Sequence, residues 1–466
     1  MDAFRADRLG PYGASRRLAP NLDAFAREGV VFREAYSTSS WTKPAVASIF
    51  TSTACTTHGV NSRESSIPKE AVTLASVFRE LGYTTVGVSA NPNVKRTTGM
   101  GEGFDVLDDA GAASILEAAG PRTSAARPFT AGRWAPAFLA PLGRPTTDGM
   151  ALNRRLEFWM RLRGGPARFF YIHYMEPHNP NFPRPEYMAE LQPFWDRVAP
   201  KRARRIAFGK YFFKETIEDP AFVPNYDDDE IALAKALYDA DIRRMDVVIG
   251  DLLSNVVPAS GDDPAPLIII TADHGEEFLE HDRWLHGSGL HAEVAEVPLL
   301  VKCPGCSPAV VAGPVNLTDL GPTVISLVGG PVPGAWEGRD LGPHILSGEA
   351  VPPRPLLLDA IQAFPSGGFG LAGGRIELNG VAADGYYYLK DENAGKEYLY
   401  DLGLDPRQRN NLLSGVDFPG RGALLANRRE MLRLMKRRAA ERAYAPAYTK
   451  MTPAMEKSLR ALGYVN

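Results

Sequence analysis

PLIIITADHGEEF, residues 266–278, runs from a continuous apolar stretch directly into Asp273, His274 and Gly275. A short run that is apolar on both faces suits a strand buried inside a parallel sheet. In open α/β sheets the ligand site lies beyond the carboxyl ends of the strands. A carboxylate and an imidazole delivered together at such an end have the donor chemistry of metal ligands. Taken by itself, the pair reads equally well as an N-cap aspartate followed by a surface histidine.

Working outward, runs at 84–90 (TTVGVSA), 168–175 (RFFYIHYM) and 296–302 (EVPLLVK) have the same texture and predict strands. Helical periodicity lies between them. AVTLASVFREL spans 71–81, and across 231–256 Leu233, Leu237, Ala240, Met245, Ile249 and Leu252 recur on one face. Strands alternating with helices predict an α/β fold with a doubly wound, mainly parallel sheet. Residues 111–230 are dense in Pro, Arg and aromatics, and read as irregular insertions at a sheet edge. From about 355 the pattern changes to short strands separated by Gly, Asp and Asn turns, an antiparallel meander. The expected division is a catalytic domain over 1–350 and a C-terminal subdomain over 351–466. The basic helix at 428–443 reads as a solvated face.

Composition narrows the function. With 466 residues, 44% hydrophobic and a formal net charge of -3, the chain has a large core and no basic field for nucleic acid. No apolar run reaches the ~18 residues that cross a membrane. Three cysteines are too few for a disulfide framework, and the Cys303/Cys306 pair lacks the partners of a zinc site and reads as a turn. No pattern in the chain speaks to oligomeric state. No charged and apolar leader opens the sequence.

Histidine is concentrated where the chemistry would be. Of eight, His173 and His178 flank the end of the 168–175 strand, and His281, His286 and His291 follow within eighteen residues of Asp273. Asp2, in MDAFRAD, adds a carboxylate. Thr42 stands before Lys43 and Pro44, and proline is accepted in a first helical turn, so a helix N-terminus with its N–H groups and positive dipole end is expected there. As a lone feature Thr42 is also an ordinary N-cap. Together the residues offer carboxylates, imidazoles, a hydroxyl and an anion-binding helix start, the parts of metal-assisted displacement on a phosphate or sulfate ester.

The chain resembles the sulfatase family of the alkaline phosphatase superfamily. DAFRADRLGPYG is similar to the family's opening D-x-L-R-A-D-x-L-G-x-Y-G, and APNLDAFAREGVVFREAY to the block leading into its nucleophile helix. ADHGEEFLEHDRWLHG matches the D-H-G-E and H-G motifs, and LYDLGLDPRQRNNL resembles L-Y-D-L-x-x-D-P-x-E-x-x-N-L. The resemblance implies metal ligation by Asp2, Thr42, Asp273 and His274, with Thr42 also the nucleophile. It implies that His178 and His286 contact the ester, and that Glu276 supports the ligands from behind. It places an apolar strand directly before the Asp matched by Asp2, where this chain has Met1 alone. The expectation is therefore a start assigned too late, with an upstream signal or anchor and the compartment left open.

Departures decide the expected reaction. Standard members carry C-x-P-x-R or S-x-P-x-R, whose Cys or Ser becomes formylglycine. This chain has Thr42-Lys43-Pro44-Ala45-Val46, and threonine cannot become that aldehyde. The family's G-K-W-H-L-G is replaced by VSANPNV with Asn91 and Asn93. The expectation is a hydrolase or transferase of anionic phosphate-type esters carrying a divalent metal. Zinc or manganese suits the mixed donors, with calcium or magnesium as alternatives. The rival readings are a sulfate-ester hydrolase without formylglycine and an inactive relative that binds an anionic glycan or lipid headgroup.

Overall fold

The computed structural model describes residues 1–62, 64–109, 148–162, 167–179, 181, 185–208, 224–257, 265–363, 375–414, 429–434, 437 and 447–448. Besides a two-residue strand at Ser65–Ser66, the described residues of the larger part of the chain form β1 (Val30–Tyr36), β2 (Thr84–Ser89), β3 (Val106–Asp108), β4 (Arg168–His173), β5 (Ile268–Thr271), β6 (Glu277–Phe278), β7 (Trp284–Leu285), β8 (Leu299–Lys302) and β9 (Ala309–Asn316). One sheet has the order β3-β2-β4 and is parallel throughout, and a second has the order β9-β1-β8-β5. In the second, β1 and β9 are parallel, whereas β8 runs antiparallel to both β1 and β5. The expected α/β architecture stands, and β8 makes it a mixed sheet. The hairpin β6–β7 lies in the connection from β5 to β8, which pair antiparallel as neighbours.

The two sheets meet at the beginning of the chain. Met1 donates its amino group to Thr271 O at 3.0 Å, Asp273 N donates to Met1 O at 3.2 Å, and Asp2 N donates to Tyr174 O at 3.0 Å. Two residues thus bridge the carboxyl ends of β4 and β5. Among the described residues no strand pairs with the facing edges of β4 and β5, and Phe169, Tyr171, Ile268 and Ile269 are only half-buried.

Helices cover the sheets: α1 (Pro20–Glu28), α2 (Thr42–Thr51), α3 (Leu74–Glu80), α4 (Gly149–Leu162), α5 (Asp228–Asp251) and α6 (Ala292–Ala295). Every residue of α2 is buried, the signature of a helix inside a core. Phe50 on α2 packs edge-on against Phe104 and Tyr171. The periodic residues Leu233, Leu237, Ala240, Met245, Ile249 and Leu252 are all buried. Asp227 and Glu230 form a reciprocal cap at the start of α5. Besides β4, expected as a strand, the segment read as irregular holds α4 and two helices, Met188–Trp195 and Pro200–Phe208, while 110–147 and 209–223 lie outside the described residues. The correction has a physical cause: Arg-rich amphipathic helices such as Pro200–Phe208 bury a narrow stripe and look irregular in composition.

Strands β10 (Leu356–Ala363), β11 (Arg375–Ala383), β12 (Tyr386–Asp391) and β13 (Lys396–Asp401) form the antiparallel meander. Leu356, Leu358, Tyr387 and Tyr400 pack on Tyr36, Leu290 and Ala295, so this sheet presses against the loops that leave β1 and β7. Asp359 N donates to Thr38 O at 2.9 Å, a direct tie to the segment before Thr42. The basic helix expected at 428–443 falls mostly outside the described residues, of which 429–434 are helical. Cys306 N donates to Cys303 O at 3.1 Å, and the two sulfurs face one another across that turn. No helix of the described residues is long and apolar enough to cross a membrane.

Candidate active site

Asp2, Thr42, Asp273 and His274 converge beyond the ends of β4 and β5, and all four are buried. Helix α2 begins at Thr42, with extended Trp41 as its N-cap. Thr42 is thus the first helical residue and not the cap. Its Oγ1 lies 3.4 Å from His274 Nε2. The imidazole orientation is set from the other side, where His274 Nδ1–H donates to Gly275 O at 2.9 Å and leaves the Nε2 lone pair facing the cluster.

Each carboxylate has one oxygen tied and one open. Asp2 Oδ2 accepts from Asn91 Nδ2 and, at 3.3 Å, from His173 Nε2. Asp273 Oδ1 accepts from Ala3 N at 3.2 Å and His274 N at 2.9 Å. Asp2 Oδ1 and Asp273 Oδ2 are buried without a hydrogen-bond partner, and they lie 3.5 and 3.6 Å from His274 Nε2. A buried, unsatisfied carboxylate oxygen is costly, and two aimed at one lone pair need a cation between them. The 3.4–3.6 Å spacings match the roughly 3.4 Å edge of a tetrahedron built from bonds of about 2.1 Å. These residues fit a divalent ion.

Electrostatics follow from this crowding. Burial opposes ionisation of Asp2, yet His178, His173 and His274 hold its carboxyl below the ordinary range. Burial likewise opposes charging of His274, but Asp273 and Asp2 raise it. His286 is pulled down to about 3 by burial and by His274, so it is neutral. Its Nδ1 lies 2.8 Å from Glu276 Oε1, and burial pushes Glu276 up to about 8. The His286 ring sits between His274 and His178, with centroids 4.5 and 4.7 Å away. His178 Nδ1–H donates to Asn179 O, which leaves its Nε2 as the lone-pair nitrogen. Burial draws the Lys43 ammonium down to about 7.

The scaffold explains the motif residues. Arg5 donates to Glu276 O at 3.0 Å and pairs with Asp7 and Glu280, fastening the opening motif to the loop after His274. Tyr238 on α5 donates to Ala3 O at 2.7 Å and accepts from Arg5 N at 2.9 Å. Ala3 sits in the left-handed region at φ 55, the kind of strain that concentrates at functional sites. A Cβ on Gly275 would lie 2.1 Å from Glu293 O, so only glycine lets this loop pack on α6. His173 and Asn91, to which the sequence reading assigned no role, are the two residues that orient Asp2. The signal for His173 was available: it ends β4 as Asp273 follows β5, and Tyr171 O–H donates to its Nδ1 at 2.9 Å.

The family model described as Sulfatase matches residues 1–330. The chain belongs to the sulfatase family. Membership makes it a hydrolase of phosphoric or sulfuric esters, in a superfamily whose enzymes use a divalent metal. Among characterised relatives, this sulfatase-family chain is 24% identical over 445 residues to the multifunctional alkaline phosphatase superfamily protein PehA of Trinickia caryophylli, covering 84% of this chain and 85% of that one. It is 23% identical over 436 residues to the ulvan-active sulfatase of Formosa agariphila, covering 90% and 76%. Among solved structures, the phosphonate monoester hydrolase of Silicibacter pomeroyi superposes with a TM-score of 0.72 at 22% identity, covering 94% of each chain.

Proposed function

We propose that the chain cleaves or transfers phosphate-type esters with Thr42 as the nucleophile, the metal being held by Asp2, Thr42, Asp273 and His274. The observation that carries this reading is the Thr42 hydroxyl at the first position of α2, 3.4 Å from His274 Nε2 and beside two open carboxylate oxygens. A bound divalent ion would lower the pKa of that hydroxyl and offset charge on the attacking oxygen. Zinc or manganese is favoured over calcium or magnesium because a ring nitrogen stands among the donors.

The chain's own groups supply the rest. The start of α2 turns the positive end of its dipole toward the bound anion. His173 and Asn91 hold Asp2 in place. Attack by Thr42 Oγ1, whose proton leaves to solvent, forms a bond to phosphorus and breaks the bond to the leaving oxygen, which takes the ring proton of His286. His178, its Nδ1 proton held by Asn179 O, meets the ester through Nε2. The neutral His286, backed by Glu276, can carry a proton in either direction. The covalent phosphothreonine is then released to water or to an alcohol acceptor. Threonine favours phosphorus over sulfur because it cannot supply the formylglycine of standard sulfatases. The named relatives include both a sulfatase and a phosphonate monoester hydrolase, so the substrate comparison is the deciding test. Matched aryl phosphate monoester, phosphate diester and sulfate are offered to the chain with zinc or manganese. Faster turnover of a phosphate ester is expected. Turnover of sulfate alone would move the chain to sulfuric esters, and none at all in folded, metal-loaded protein would refute the reading.

A further inference from the structure

Glu276 and Glu277 are neighbours that face opposite ways. In an extended strand successive side chains alternate, and while Glu276 reaches His286, Glu277 points to the other side of the β6–β7 hairpin, toward His291 and Gly289. Its side chain is fully buried, and neither carboxylate oxygen has a hydrogen-bond partner. Oε1 lies 3.7 Å from His291 Nδ1, which is also buried without a hydrogen-bond partner. The His281 ring stacks on the His291 ring at 3.7 Å and 7°. One donor atom each from Glu277, His281 and His291 lies within 4.8 Å of the others.

The outer partners of the two rings are in place. His281 Nε2 lies 3.0 Å from Glu293 Oε2, and His291 Nε2 lies 3.2 Å from the Tyr400 hydroxyl. Ligating histidines characteristically give their other ring nitrogen to a carboxylate or hydroxyl in this way. The nearby guanidinium groups are engaged elsewhere, Arg283 with Asp391 at 3.0 Å and Arg409 with Glu293 at 2.9 Å. The Glu277 charge is therefore left without a close cation, in a place where an uncompensated carboxylate costs several kcal/mol. Gly289 lets the carboxylate sit against the backbone, since a Cβ there would fall 2.1 Å from Glu277 Oε2.

We propose that Glu277, His281 and His291 form a second divalent-cation site, with donors suited to zinc, on the far side of the hairpin from Asp2, Asp273 and His274. Two imidazoles and a carboxylate are a zinc donor set, and water completes the fourth position. The site's work is structural. Its ligands come from the hairpin and from the residue capping α6, and Tyr400 behind His291 belongs to β13. An ion there pins the segment carrying Glu276 and His286 to the C-terminal sheet. This inference does not depend on which ester the enzyme cleaves.

The test counts metal in the full chain after zinc loading and gel filtration, by elemental analysis. Wild type should hold two zinc ions per chain. The Asp2→Asn/Asp273→Asn variant should hold one, and adding His281→Ala to it should leave none. His291→Phe in the otherwise wild-type chain keeps a stacked ring and should reduce two ions to one while far-UV dichroism is unchanged. No zinc in Asp2→Asn/Asp273→Asn, or two zinc ions retained by His291→Phe, would overturn the proposal.

Discussion

Substituting Thr42 separates the chemistry of the site from the stability of the fold. The Thr42 hydroxyl meets His274 Nε2 at 3.4 Å, at the long end of hydrogen-bond range, so losing it costs below about 1 kcal/mol. Losing the buried methyl costs about 1 kcal/mol more. The sum is up to about 2 kcal/mol, so Thr42→Ala should melt no more than roughly 4–8 °C below wild type, at roughly 2–4 °C per kcal/mol for a large domain. The loss in turnover is of another order. Removing a nucleophile that acts with its neighbours as a unit costs about 10⁴- to 10⁶-fold in kcat, or roughly 5–8 kcal/mol of barrier. Thr42→Ser keeps the oxygen and frees only χ1, and should stay within about tenfold of wild type. Initial rates on an aryl phosphate, read beside melting curves and zinc content, make the comparison. If Thr42→Ala keeps a tenth of wild-type kcat, or if Thr42→Ser is as inactive as Thr42→Ala, Thr42 is not the nucleophile.

Chelation should lower the melting temperature, and restoring zinc at a hundred times its Kd should return about 2.7 kcal/mol per site; Asp273→Asn should diminish that response, and equal curves with and without metal would contradict the ligand assignment. Gly275→Ala drives a methyl into Glu293 O and should cost about 1–3 kcal/mol, measured by urea denaturation. Asp359 gives a pH signature away from the metal: burial, with Glu377 adding repulsion, pushes its carboxyl from 3.8 up to about 7. The unfolded chain releases this proton first, so stability is whole below pH ~4 and falls by up to about 1.4 kcal/mol per pH unit until the folded group ionises near 7. Asp359→Asn should flatten that slope, and an unchanged slope would assign it to another group.

The strand before Asp273, the buried stripe of α5 and the C-terminal meander were legible in the sequence because each rests on local periodicity. The mixed direction of the second sheet was not, since β8 has the same apolar texture whether it runs parallel or antiparallel. At their strand end Asp273 and His274 read equally well as a cap and a surface histidine, and the clustered histidines and the motif singled them out as ligand candidates, as the motif alone did for Asp2. The tie between Asn91 and Asp2 joins positions 89 residues apart, and no local pattern encodes it. Thr42 looked like a cap because threonine usually is one. The extended Trp41 takes that position and frees the hydroxyl.

Met1 and Asp2 fasten the end of β4 to the end of β5. Asp2 is held from the β4 side, by Tyr174 O and His173, whereas Asp273 follows β5. Their two open carboxylate oxygens therefore belong to different sheets. A cation held by both acts as a rivet across the seam, and any drift of one sheet against the other pulls its donors apart, so the alignment of the two sheets and the grip on the metal are one mechanical property.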